Sequence, residues 1–185
     1  DEIGPQLLKM GIDPKKDVDK VVLTHLHTDH AGGLHHFPNS EILIERNEYK
    51  AASGLKGRCA GYLPHRWPKW LQPTLMDLPE SPYSSFDRSL PITKDGKVMI
   101  VATPGHVANH ISVIAEMDGV YYFMAGDTSY TQENLLNKVP DGIGTNESIQ
   151  TLENILAFSR ENPTIYLPSH DPLIPERMKN KEVIR

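Results

Sequence analysis

His25, His27, Asp29 and His30 fall within the run Thr24-His25-Leu26-His27-Thr28-Asp29-His30, directly after the apolar stretch Val21-Val22-Leu23. Three imidazoles and a carboxylate packed this closely suit a divalent transition metal. Side chains on extended backbone alternate between faces, so His25 and His27 are expected to point the same way and Leu26 back into a core. Asp29 and His30 follow as the chain turns toward Ala31-Gly32-Gly33, where they can reach a second ion beside the first. A His-rich surface loop is the plain alternative, and the rest of the chain speaks against it.

Further donors occur at three later points, each in the same setting. Lys97-Val98-Met99-Ile100-Val101-Ala102 reads as a buried strand and is followed by Thr103-Pro104-Gly105-His106. Val120-Tyr121-Tyr122-Phe123-Met124-Ala125 is followed by Gly126-Asp127, and Thr164-Ile165-Tyr166-Leu167 by Pro168-Ser169-His170. Short apolar runs bounded by Gly and Pro are strand signals. Donor clusters just past the ends of strands converge at one sheet edge, where loops on a rigid scaffold usually carry active sites.

The elements expected to position these groups alternate. A helix near 4–10 precedes a strand at 20–25. A helical turn near 31–36 leads to a strand at 41–45 and a helix at 46–53. Strands follow at 97–102, 111–117 and 120–125, the last two joined by the hairpin signal Asp118-Gly119. A short helix covers 133–137. A longer one covers 145–160, with Ile149, Leu152, Ile155 and Leu156 on one face, and it ends at Asn162-Pro163. The last strand is expected at 164–168. Strands interleaved with helices indicate an α/β layered fold. The stretch 54–92 reads as irregular. It holds Pro64, Pro68, Pro73, Pro79, Pro82 and Pro91 together with Tyr62, Trp67, Trp70, Tyr83 and Phe86. A loop this long is usually functional or disordered. Here it is expected to form an apolar wall or lid, with plain packing onto the body as the alternative.

The order of these motifs resembles the metallo-β-lactamase superfamily of dinuclear metallohydrolases, from about Val21 to Asp171. The resemblance implies an α/β fold of the αβ/βα sandwich type. It implies that His25, His27 and His106 hold one metal ion, that Asp29, His30 and His170 hold another, and that Asp127 bridges them. Zinc is the first expectation for both ions, with iron, manganese or cobalt as alternatives. Within the superfamily the chain resembles the N-acyl-homoserine lactonase branch and related small-lactone hydrolases. Asp127-Thr128-Ser129-Tyr130 places a Tyr three residues after the bridging Asp, where those lactonases carry a substrate-contacting Tyr. Ser169-His170-Asp171 is similar to their Gly-His-Asp, and the stretch Glu41 to Tyr49 resembles the segment after their first motif. The implied activity is hydrolysis of an N-acyl-homoserine lactone (quorum quenching) or another small lactone. Asp29 would relay a proton, and Tyr130 would stabilise the developing oxyanion or pack at the start of the next helix. A glyoxalase-II-like thioester hydrolase shares the same centre and is the main alternative. A metal-binding member without turnover is the non-enzymatic one.

Composition narrows the classes. The 185 residues are expected to form a single domain, 1–185, large enough to bury a core. The chain begins at Asp1 with one short helix-like segment before the first His motif. Members of the superfamily usually carry several strands there, so the domain is expected to lack its N-terminal strands and the natural polypeptide to be longer. An edge left unpaired would favour a homodimer. A net charge of -5 argues against a nucleic-acid partner. No apolar run approaches the ~20 residues of a membrane helix, so no membrane partner is expected. The small-molecule substrate is what the resemblance implies, and a cytoplasmic location is expected. Cys59 is the one cysteine and reads as an ordinary thiol. Redox di-iron members carry Glu where His27 stands, and β-lactamases of the Cys-ligand type need a Cys that no ligand position holds. The 43 positions from Asp127 to His170 leave no room for the inserted domain of nucleic-acid-processing members. His35, His36 and His65 fall outside the ligand set, and His110 is expected to support it through a hydrogen bond.

Overall fold

A computed structural model describes residues 2–54, 57–141 and 144–184. They form two compact units, Asp1–Asp77 and Leu78–Arg185. In the first, helix α1 (Ile3–Lys9) precedes strand β1 (Lys20–Val22), helix α2 (Thr28–Ala31) and a 3-10 turn, Gly32–His36. Strand β2 (Glu41–Glu45), helix α3 (Arg46–Ser53) and strand β3 (Thr74–Met76) complete the unit. The strands make a parallel sheet in the order β1-β2-β3, with Val21 opposite Ile42 and Ile44 opposite Leu75. Ile42, Leu43 and Ile44 are all buried, the continuous apolar pattern of a strand covered on both faces. Glu45 caps α3 by accepting the Glu48 N–H at 2.7 Å.

In the second unit, strands β4 (Ser89–Pro91), β5 (Val98–Ala102), β6 (Ile111–Met117), β7 (Val120–Gly126) and β8 (Thr164–Pro168) form one mixed sheet in that order. Pairs are antiparallel from β4 to β7, and β7 runs parallel to β8. Strands β5, β7 and β8 therefore share one direction, and their C-terminal ends lie along one sheet edge. Helices α4 (Gln132–Leu136), α5 (Asn146–Glu161) and α6 (Ile174–Asn180) accompany the sheet. The core joins Val101, Ile114 and Phe123 to Leu152, Ile155 and Phe158 of α5. Phe86 lies in the same core, its ring centroid 5.8 Å from that of Phe123.

The expected elements are present, with instructive differences. Strand β1 stops at Val22, short of Thr24 and His25, because its ladder to β2 ends where the Leu23 N–H meets the Leu43 carbonyl. The stretch 54–92 contains β3, which follows Pro73, and β4, which ends in Pro91, three-residue strands that carry no readable alternation. Pro91 is tolerated because β4 is an edge strand. On α5 the buried positions are Ser148, Thr151, Leu152, Ile155 and Phe158, whereas Ile149 is exposed. Helix α6 lies beyond the last motif and its amphipathic signal is short. The Cys59 side chain lies outside the described residues. Among those described, no helix is long and apolar enough to cross a membrane.

Candidate metal centre

The run after β1 is irregular, and tertiary hydrogen bonds give it its shape. The buried Glu48 on α3 accepts the Leu26 N–H at 3.0 Å. Burial raises the Glu48 pKa, partly offset by that N–H. Burial, then the neighbouring Glu48 charge, pushes the Tyr62 phenol up as well. Leu26 and His25 are both fully buried. The Thr28 hydroxyl donates to the Gly61 carbonyl at 3.0 Å, and His27 Nε2 donates to the Ala60 carbonyl at 3.0 Å. That second bond puts the proton on His27 Nε2, so His27 Nδ1 accepts, 3.1 Å from His25 Nε2. Tyr62 packs on His27 at 4.8 Å between ring centroids. Position 61 favours Gly: its φ is +88°, and a Cβ there would lie 3.2 Å from the His27 ring. Asp29 and His30 form a second pair on α2, 3.6 Å apart between Oδ2 and Nε2.

In the second unit the donors leave the ends of β5, β7 and β8. Asp127 follows a bulge between Met124 and Gly126, a device that re-aims a chain at a sheet edge. Its Oδ2 lies 3.3 Å from His170 Nε2 and 3.6 Å from His106 Nε2. The other His106 nitrogen, Nδ1, lies 3.0 Å from the buried carboxylate of Asp141. A carboxylate behind a histidine fixes its tautomer and orientation. The loop before His106 is pinned by α5. Thr151 donates to the Pro104 carbonyl at 2.6 Å. A Cβ at Gly105 would come within 2.6 Å of Ser148 Cβ.

Two buried polar networks hold the Asp127 segment. Its N–H donates to His110 Nε2 at 3.2 Å. His110 Nδ1 therefore carries a proton and donates to Thr103 Oγ1 at 2.9 Å. Thr103 donates on to Ser112, and Ser112 to the Ala125 carbonyl. The second network centres on the Tyr166 phenol, which bonds Thr128 at 2.7 Å and Ser129 at 2.8 Å. Burial pushes that phenol up to about 12. Beside His170, Asp171 accepts the Gln132 N–H and pairs with the buried Arg177 at 2.7 Å. Burial works against the Asp171 carboxylate, but the Gln132, Arg177 and Leu173 donors hold its pKa below the ordinary value. Tyr130 is half exposed, its ring edge-on to that of His170 at 5.6 Å between centroids.

These arrangements suit divalent ions. Two imidazole nitrogens sharing a tetrahedral ion at roughly 2.0–2.1 Å stand about 3.3 Å apart, close to the spacing of His25 Nε2 and His27 Nδ1. One Asp127 oxygen facing two histidine nitrogens is the arrangement a bridging carboxylate needs. Glu48, Asp141, Thr103, Ser112 and Tyr166 escaped the sequence reading. Each acts across a distance in the chain that no local spacing marks, although His110 was legible four residues after His106. The aromatics of 54–92 divide. Tyr83 and Phe86 pack with Phe158 in the second unit, and Trp67 stacks on Tyr49 in the first. Trp67 also lines a small cavity of about 220 Å³ with Thr28, Gly32 and Leu63.

The profile of the metallo-beta-lactamase superfamily matches residues 12–170. An N-acyl homoserine lactonase of Bacillus thuringiensis is 30% identical over 176 residues, 92% of this chain and 62% of that protein. The N-acyl homoserine lactonase AttM of Rhizobium radiobacter is 26% identical over 174 residues, 90% of this chain and 63% of that protein. A variant of AiiA from B. thuringiensis, solved with N-decanoyl-L-homoserine bound at its active site, superposes with a TM-score of 0.73 at 25% identity. That superposition covers 98% of this chain and 66% of that one. The chain thus spans a little under two thirds of these relatives' lengths. The matched profile begins ahead of β1 and ends at the histidine that follows β8, so it takes in all the candidate ligands. The chain belongs to the metallo-β-lactamase superfamily and has its fold.

Proposed function

We propose that the chain acts as one domain, as a dinuclear metal-dependent hydrolase that opens a lactone ring. The expected substrate class is the N-acyl-homoserine lactones, whose hydrolysis is quorum quenching. His25, His27 and His106 would hold one ion, Asp29, His30 and His170 the other, and Asp127 would bridge them. Zinc suits this donor set, and iron, manganese or cobalt could take the same ligands. Two such ions would polarise the ester carbonyl and lower the pKa of a water toward neutrality.

The chain's own residues perform the remaining steps. Tyr130 donates a hydrogen bond to the carbonyl oxygen as negative charge develops. Asp29, with its side chain 59% exposed, would take the proton released by the attacking water and pass it to the leaving alkoxide when the ring opens. The Asp141 carboxylate, 3.0 Å from His106 Nδ1, would orient that ring so that Nε2 offers its lone pair to an ion. Beside Asp29 and His30 lies a cavity of about 690 Å³ lined by Val21, Leu23, Leu34 and Phe37, within the size range of a small-molecule site. It suits an acyl chain. The observation that carries the lactone reading is Tyr130, three residues after Asp127 with its ring against His170. The relatives named as N-acyl homoserine lactonases support it.

The test compares kcat/KM for an N-acyl-homoserine lactone with that for an S-acyl glutathione thioester. The lactone is expected to be preferred. A thioester preference of about tenfold or more, some 1.4 kcal/mol of transition-state stabilisation, would replace this reading with glyoxalase-II-like hydrolysis. Absence of turnover on both with metals bound would leave a binding protein.

A further inference from the structure

Apart from the ligands assigned above, Glu2, His35 and His36 form a compact donor group in the first unit, with one ligand atom of each within 4.8 Å of the others. His35 and His36 close the 3-10 turn that follows α2, and their rings lie 3.9 Å apart between centroids, tilted by 40°. Glu2 reaches them from the start of α1. Its Oε2 lies 2.8 Å from His36 Nε2 and 3.6 Å from His35 Nε2.

The hydrogen bonds fix what each nitrogen offers. His35 Nδ1 lies 3.1 Å from the Gly32 carbonyl, which can only accept, so Nδ1 carries the proton. In the tautomer this bond selects, His35 Nε2 offers a lone pair 3.6 Å from a Glu2 carboxylate oxygen, a spacing that lets the two share one cation. A ring N–H bound to a backbone carbonyl, with the opposite nitrogen presented, is also how metal-binding histidines are usually held. His36 is fixed by packing: a Cβ at Gly4 would lie 2.3 Å from its Nδ1, so this ring is seated on bare helix backbone with its Nε2–H donating to Glu2, and a bound ion would displace that proton.

We propose that Glu2, His35 and His36 bind a divalent transition metal ion, as a site distinct from the dinuclear centre. Two imidazoles and one carboxylate suit Zn²⁺, Ni²⁺ or Cu²⁺. The His35 and Glu2 side chains are 53% and 64% exposed, so the ion exchanges with solvent and is held less firmly than a buried one. Binding would clamp α1 to the turn that follows Asp29 and His30, and so couple free metal to the order of that segment.

The experiment titrates Zn²⁺ calorimetrically into the full, untagged, metal-loaded chain, with Tm measured in parallel. One further equivalent of Zn²⁺ and a rise in Tm are expected. His35→Ala and Glu2→Gln, both at exposed positions, should weaken that further equivalent by more than about tenfold, the low end for losing even an outer-shell partner. Both should retain the tightly held ions by elemental analysis. The proposal is overturned if the wild type takes up no further equivalent, or if both variants take it up unchanged. The lactonase reading fails separately, on the number of tightly held ions and on substrate preference.

Discussion

In residues 24–30 four donors share one turn of chain, and the groups that shape them are backbone carbonyls at Ala60 and Gly61 and the buried Glu48. Between 106 and 170 three donors stand on three separate loops. Each is braced by buried side chains: Asp141 behind His106, His110 and Tyr166 around Asp127, and Arg177 with Asp171 beside His170. The first set is positioned mainly through the path of the main chain, the second through polar networks. A contiguous motif needs only its turn held. Donors on separate strands must be held individually, and each brace puts polar groups where an unmet hydrogen bond is costly. The second unit should therefore respond more sharply when single side chains are changed.

The largest effect is expected at Asp127, whose Oδ2 faces both His106 and His170. Asp127→Ala should lower the content from two ions to at most one by elemental analysis. It should reduce hydrolysis by more than about 100-fold, beyond the usual range for an outer-shell partner. A wild type holding one ion, unchanged in the variant, would refute the bridge.

Tyr130→Phe should come next. Loss of a sole oxyanion donor costs on the order of 10²–10³ in kcat. Here a metal would share the task, so roughly a tenfold to hundredfold loss is expected with metal content unchanged. A change under about twofold, less than 0.5 kcal/mol, would make the hydroxyl structural and remove the main local argument for lactones.

Tyr166→Phe tests the network beneath the Asp127 segment. It leaves the Thr128 and Ser129 hydroxyls without their phenol partner, at a cost of about 1–3 kcal/mol by denaturant unfolding. The phenol pKa is raised from 10.0 to about 12 in the folded chain. Its contribution is therefore fully present below pH 10 and lost as the pH rises through the folded value. The variant should show a shallower fall in stability between those two values. Parallel alkaline curves for wild type and variant would rule the contribution out.

The smallest effect is expected for Glu48→Gln, the corresponding change in the first unit. Burial already pushes the Glu48 carboxyl toward its neutral form, and an amide oxygen can still accept the Leu26 N–H. The loss should stay under about 1 kcal/mol, the net worth of one hydrogen bond, with metal content unaltered. A loss as large as that of Tyr166→Phe would erase the contrast between the two units.

The sequence by itself determined which residues are candidate donors, because imidazole and carboxylate chemistry at a strand end is written in residue type and short spacing. It also determined the principal strands of both sheets, because five to seven apolar residues between turn signals have few other places to go. Tertiary structure decided the rest. It ended β1 at Val22, where pairing with β2 runs out, so that His25 and His27 sit on a bent segment. It recruited Glu48, Asp141 and Tyr166, residues ordinary in their local sequence whose partners lie 22, 35 and 38 positions away. It brought Glu2 to His35 and His36, 34 positions apart at the nearer hydrogen bond. The physical reason is the same in each case. A ligand's identity is a property of its own side chain, but its orientation is set by whichever group the fold brings to its other side, and no periodicity in the chain encodes that meeting.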